Sequence, residues 1–193
     1  MAMPGNRRAA KYDPGRPVLE YIRNPLYDRK QIASGSAAQS LTFFRTFLGG
    51  TFRDTNMTAD GSLAAPHTYD AFGLSIFVQQ GTTAADLELL MNFGVFQFSM
   101  SDKPYLTCMM HQIPAAAGLH GFASTTVTAT TIFEAQNGYP LPTGYMPLDL
   151  EGSPLHIPSQ QNFQGVLTLS NAATFSDDID LWCVLHGILG RPA

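Results

Sequence analysis

The chain has 193 residues, 45% of them apolar and 13% charged, with a formal net charge of −4. That length and apolar content suit one domain able to bury its own core, and they exclude a disordered chain. The charged fraction is about half the usual ~25%, so part of the surface is expected to be covered by something other than water.

Charge is divided sharply along the chain. Residues 1–53 hold nine of the eleven basic residues against three acids, a balance of +6, and the remainder carries −10. Residues 1–33 therefore read as a basic, proline-containing N-terminal arm and residues 34–193 as the body, with the Gly/Ser/Ala stretch Ala33–Ala38 as the hinge. Val18, Leu19, Tyr21, Ile22, Leu26 and Tyr27 interleave the charges of the arm. A segment with that much apolar area is expected to order by docking on a neighbour or an anionic surface. Its candidate assembly residues are Arg7, Arg8, Lys11, Arg16, Tyr21, Ile22, Arg23, Tyr27, Arg29 and Lys30. Met1–Ala10 contains arginines but no apolar run, so no secretory signal is expected.

Beyond residue 40 the dominant period is two. Strands are expected at Ser40–Leu48, at Tyr69–Gln79, where Phe72, Leu74, Ile76 and Val78 share a face, at Gly94–Met100 and at Tyr105–Met110. Thr83–Asn92 reads as the one helix, opened by Thr83-Ala84-Ala85-Asp86 in the manner of a capping box. The β-branched run Phe122–Glu134, a short run within Tyr145–Ile157, the alternation of Phe163, Leu167 and Leu169, and Ile179–Leu189 complete the set. The last is apolar on both faces except at Asp180 and His186, as in a central strand, and Trp182 is expected in the core. About eight short strands punctuated by Gly and Pro indicate an all-β fold, an eight-stranded antiparallel jelly-roll sandwich with one short helix and an extended N-terminal arm.

The chemistry-bearing motifs are absent. No nucleophile elbow, P-loop, dinucleotide fingerprint, zincin motif, EF-hand loop or C-x-x-C occurs. His67, His111, His120, His156 and His186 lack metal-ligand spacing; His111 and His120 could meet across a loop, but structural roles are expected for them. Cys108 and Cys183 sit in apolar runs and read as inert core thiols. Asp177, Asp178 and Asp180 form the densest carboxylate group, read as a polar turn guarding a sheet edge rather than as a calcium site. Asn56-Met57-Thr58 is read as a chance sequon, and Tyr139 and Tyr145 as a weak candidate platform for a sugar. No catalytic, metal-ligating or cofactor-binding residue is expected, and no small-molecule substrate.

Three segments carry a resemblance: Phe52-Arg53-Asp54-Thr55-Asn56-Met57-Thr58 running to Gly61-Ser62-Leu63-Ala64-Ala65-Pro66, Ile157-Pro158-Ser159-Gln160-Gln161-Asn162-Phe163, and Leu185-His186-Gly187-Ile188-Leu189-Gly190-Arg191-Pro192. With the strand pattern over residues 40–193, they make the chain resemble the single jelly-roll capsid proteins of tailless icosahedral phages, some of which enclose an inner membrane. The resemblance implies a self-assembling capsid subunit, made in the host cytoplasm and placed in the virion shell. Its partners would be copies of itself and other capsid or vertex proteins. It brings no catalytic residues and does not fix the partner of the arm, for which an acidic patch on the next subunit, an inner membrane and the genome are the candidates. On this reading, deleting residues 1–33 leaves a folded body that assembles poorly. The competing classes are a β-sandwich binding module, such as a spike or a glycan- or receptor-binding domain, and an enzyme built on a jelly roll.

Overall fold

A computed structural model describes residues 19–36, 38–45, 51–79, 81–114, 119–127, 130–137, 144–149, 152–170 and 172–192. The described residues form β1 (Leu19–Arg23), β2 (Leu26–Ile32), β3 (Gly35–Ser36), β4 (Gln39–Phe43), β5 (Thr68–Val78), α1 (Ala84–Phe93), β6 (Gly94–Met100), β7 (Lys103–Met109), a single 3-10 turn at Met110–Gln112, β8 (Leu119–Val127), β9 (Thr130–Asn137), β10 (Met146–Pro147), β11 (Leu155–Ile157), β12 (Phe163–Leu169), β13 (Thr174–Phe175) and β14 (Ile179–Pro192). The described residues are mostly β, with one α-helix and two principal antiparallel sheets among them.

In the first sheet β14 lies between β5 and the pair β1 and β2, while β10 and β11 line the far edge of β5. In the second the order is β4-β12-β6-β7. The pairing is nested: β6 pairs with β7, β5 with β11, β4 with β12 and β2 with β14. Within that nest only the β6–β7 connection stays in one sheet, a two-residue turn at Ser101 and Asp102 with φ of 48° and 62°. Positive φ at both central residues is the twist that a tight hairpin needs.

Alternation sends one face of each sheet inward. Leu74, Ile76, Leu181, Cys183 and Leu185 from the first sheet join Phe43, Phe96, Phe98, Phe163, Leu167 and Leu169 from the second in a single buried core. Gly165 of β12 leaves room for the Phe96 ring, against which a Cβ would sit at 2.7 Å. The helix is capped as its sequence indicates, since the Thr83 hydroxyl accepts from the Asp86 amide at 3.1 Å. Asp86 is itself buried and accepts from the Ser176 amide at 2.9 Å, tying the helix to the approach of β14. Burial pushes the Asp86 carboxyl up, but hydrogen bonds from Ser176, Thr83 and the Asp177 backbone outweigh it and leave the pKa lowered.

Two expectations are corrected here. The described part of the expected arm, residues 19–33, is not separate from the body, because β1 and β2 are hydrogen-bonded along β14. Leu26 and Ile32 are buried in the shared core and Ile22 packs against it, so the apolar residues among the charges serve this chain's own fold. Arg7, Arg8, Lys11 and Arg16 lie outside the described residues. The run Phe122–Glu134 is a hairpin of β8 on β9 rather than one strand.

Candidate assembly surface

The segment after β4 shapes one flank of the first sheet. Phe44 adopts φ of 69°, a left-handed conformation uncommon for a bulky residue. It is held there by the buried Asp28, whose Oδ2 accepts the Phe44 amide at 2.7 Å and lies 3.1 Å from Lys30 Nζ. Lys30 is thus paired inside its own strand. Residues 51–56 then return as a strap along the free edge of β2. The Arg29 amide donates to the Asp54 carbonyl at 2.7 Å and the Asn56 amide to the Tyr27 carbonyl at 3.3 Å. The Asn56 side chain closes the strap, accepting from the Tyr27 amide at 2.8 Å and donating to the Pro25 carbonyl at 2.7 Å. The sequon asparagine is therefore a structural latch. An edge covered in this way has no open ladder to offer a foreign strand.

Arg29 is the hub of this region. Its two guanidinium nitrogens reach Asp54 Oδ1 at 2.6 Å and Asp180 Oδ2 at 2.7 Å, and the guanidinium carbon lies 5.7 Å from the centre of the Trp182 ring. The hydrogen bond to Asp180 is the largest influence on Arg29 and, with Asp54, raises its pKa against the opposing effect of burial. Asp54 is held down to about 2, first by the Thr51 amide and hydroxyl and then by Arg29. Trp182 lies on the outer face of the sheet rather than in the core, half-covered: its ring packs on Phe77 and its Nε1 donates to the Arg53 carbonyl at 3.1 Å. Phe52, at the tip of the strap, is 87% exposed. Tyr27 anchors that tip by donating its hydroxyl to the Phe52 carbonyl.

The remaining expected residues are dispersed. Tyr21 is exposed and Ile22 faces the core, while Arg23 is exposed at the end of β1. Asp178 accepts from the Ser34 amide at 2.7 Å and Asp180 serves Arg29, so two of the three clustered aspartates pin β2 and its exit to β14. Among the described residues no group of three or more His, Cys, Asp or Glu could hold a metal ion. His120 lies in β8, whose side chains are outside the description. His186 is hydrogen-bonded to Ser75 Oγ at 2.8 Å and stacked under Tyr145 at 5.3 Å, which removes Tyr145 as an open platform; Tyr139 lies outside the described residues. Burial lowers the His186 pKa, and Ser75 is itself buried in the middle of β5. Cys108 and Cys183 are both buried and free, and burial pushes both thiols up.

The outer face of the second sheet is different in character. Its register places Ser40, Thr168, Val95 and Met109 in one row and Thr42, Val166, Gln97 and Thr107 in the next. Neither row contains a charge. Val95 and Met109 are 41% and 40% exposed, and Phe93 and Tyr105 add exposed apolar surface beside them. The interface expected in the arm does not include this face, which the sequence marks only through the alternation of Val95, Gln97 and Ser99 with the core residues. At one end of the same sheet, Arg45, Asp60, Ser99, Asp102, Asn162 and Gln164 border a polar cleft of about 470 Å³. No helix among the described residues is long and apolar enough to cross a membrane. Comparison of the chain with family models, with curated proteins and with solved structures finds no match.

Proposed function

We propose that the chain is a structural shell protein, the self-assembling capsid subunit of a tailless icosahedral virus, with a jelly-roll body. The observation that carries this is the pair of uncharged rows on the outer face of the second sheet, Ser40, Thr168, Val95 and Met109 and then Thr42, Val166, Gln97 and Thr107. A face left to water carries charges, whereas the core of a protein contact is depleted of them. The nested strand pairing supports the jelly roll, since a long antiparallel hairpin rolled into two sheets pairs its strands in that way. The resemblance of residues 52–66, 157–163 and 185–192 supports the same reading. These segments form the strap and its continuation, the strand and turn that meet it, and the central β14. The partners are copies of the same chain and other shell or vertex proteins. Arg7, Arg8, Lys11 and Arg16 are left to meet an acidic neighbour, lipid headgroups or the genome. No catalysis is proposed. Negative-stain microscopy of the purified chain tests the reading: capsomers or closed shells are expected, and dispersed monomers alone overturn it.

The polar cleft favours one second reading, a binding module. Its amides, hydroxyls, carboxylates and single guanidinium are the donors and acceptors that a polyhydroxylated ligand requires. That reading predicts a monomer or trimer whose melting temperature rises with added glycan.

A further inference from the structure

We propose that the polar cleft at the end of the second sheet binds a neutral saccharide, held through Ser99, Asp102, Asn162 and Gln164. The inference rests on the second reading above, the binding module, and specifies the ligand and the groups that meet it. The cleft lies where residues 44–45, 60–61, 99–102 and 160–164 come together, and backbone hydrogen bonds tie these stretches to one another. The Gly61 amide donates to the Phe44 carbonyl at 2.6 Å, the Phe163 amide to the Gly61 carbonyl at 2.7 Å, and the Ser101 amide to the Asn162 carbonyl at 2.9 Å. Phe44, Ser101, Asp102 and Gln160 are the non-glycine residues with positive φ among the described residues, and all four lie in these stretches. Such backbone persists where its surroundings fix it. The walls are therefore set before a ligand arrives, and a volume of about 470 Å³ falls within the roughly 300–1,000 Å³ of ligand clefts.

Ser99 is the deepest polar group of the cleft. It stands on the outward row of β6, beside Gln164 of β12 and Pro104 of β7, yet it is only 6% exposed. Among the described residues no group bonds its hydroxyl, the Asp102 carboxylate or the Asn162 side chain, and all three border the cleft. A hydroxyl so covered is left to bond what enters. Arg45 Nη1 donates to Gln164 Oε1 at 2.8 Å, which occupies the amide oxygen and leaves the Gln164 nitrogen to donate. The Ser101 hydroxyl accepts from Gln161 Nε2 and keeps its own proton for a ligand. A carboxylate acceptor thus stands among amide and hydroxyl donors, and adjacent sugar hydroxyls, each a donor and an acceptor, match that set. The charges are mixed, Arg45 against Asp60 and Asp102. Asp102 repels a phosphate or a sugar carboxylate and Arg45 repels an ammonium, so an uncharged ligand is favoured. The aromatic that borders the cleft, Phe163, is buried and offers no ring face for stacking. Binding therefore rests on hydrogen bonds made in exchange for water, and one site is weak, with a Kd on the order of 1 mM.

Saturation-transfer NMR on the full-length chain is the test, because it reads weak binding to monomers and to large particles alike. The probes are glucose, galactose, mannose and N-acetylglucosamine, with glucuronate and glucosamine as charged comparisons. At least one neutral sugar is expected to bind. Asp102→Asn keeps a residue suited to the left-handed turn and is expected to weaken that binding about tenfold or more, the loss of a charged acceptor. Ser99→Ala is expected to weaken it as well, whereas Thr107→Ser, on the same sheet but outside the cleft, leaves it unchanged. Undiminished binding in Asp102→Asn and Ser99→Ala overturns the site. Tighter binding of glucuronate or glucosamine than of every neutral sugar overturns the ligand class, and either result leaves the second reading standing. Failure of every sugar to bind overturns the inference and the second reading together.

Discussion

Replacing Arg29 with alanine is expected to destabilise the isolated subunit, not only its assembly. Asp180 has a side chain only 9% exposed, and without the guanidinium its remaining side-chain partner is the Gln31 amide at 3.3 Å. Stranding a buried carboxylate costs about 3–5 kcal/mol, which that amide and the partial exposure of Arg29 reduce to about 2 kcal/mol. Loss of the contact with the Trp182 ring removes a further ~0.5–1 kcal/mol. The total of about 3 kcal/mol corresponds to a fall of roughly 6–12 °C in Tm for a domain of this size. Urea unfolding followed by circular dichroism, at concentrations where the chain is monomeric, measures it directly. Arg29→Lys should lose less, because one ammonium keeps the charge but cannot fork between Asp54 and Asp180. A loss below about 0.5 kcal/mol for Arg29→Ala is the behaviour of an exposed surface pair and would refute the role of this residue as a latch.

Truncation separates arm from body. A chain lacking residues 1–18 is expected to fold and assemble poorly, whereas one lacking residues 1–33 loses β1 and β2 with the buried Leu26 and Ile32 and is expected not to fold, by circular dichroism. Equal folding of the two would contradict the placement of β2 in the sheet. Gly165→Ala is expected to cost about 1–3 kcal/mol in urea unfolding, since its methyl meets the buried Phe96 ring; an unchanged midpoint would mean that the core yields freely there. Acid acts through the groups whose pKa is lowered, Asp54, Asp86 and His186. Because the Asp54 pKa is depressed, its stabilisation is full above the ordinary carboxylate range and is lost as pH falls towards about 2. His186 is also depressed, so the unfolded chain takes up its proton first and stability falls as pH drops below about 6.5. In His186→Gln the urea midpoint should therefore decline less between pH 7 and 5, and an identical decline in both chains would contradict the assignment.

The strands that were legible from sequence are those with unbroken alternation. Gly94–Met100 and Phe163–Leu169 correspond closely to β6 and β12, because each buries one face in a common core. Tyr69–Gln79 is β5, but a bulge there shifts the alternation, so Tyr69 and Ala71 are buried while Phe72 does not share the core face of Leu74, Ile76 and Val78. The helix was legible from its cap. β2 was not, because two of its inward positions are Asp28 and Lys30, which interrupt the apolar period. They are tolerated there because they pair with each other and because Asp28 also holds the Phe44 amide, a contact between residues 16 apart that no local pattern announces. The strap is hidden for the same reason: Asp54, Thr55 and Asn56 look like any polar loop until β2 lies beside them. The short run expected within Tyr145–Ile157 is two fragments, β10 and β11, which together line one edge of β5. The candidate assembly residues, seven charges with Tyr21, Ile22 and Tyr27, lie along the arm, whereas the two outer-face rows are marked by the absence of charge, a property of register across four strands.

The central claim, that this chain exists to contact copies of itself, is tested most directly by sedimentation velocity of the unmodified protein over a concentration series at low and high salt. Large discrete species that persist at high salt are predicted, because the outer-face rows that carry the assembly reading hold no charge. A single monomeric boundary at every concentration and salt would contradict the account.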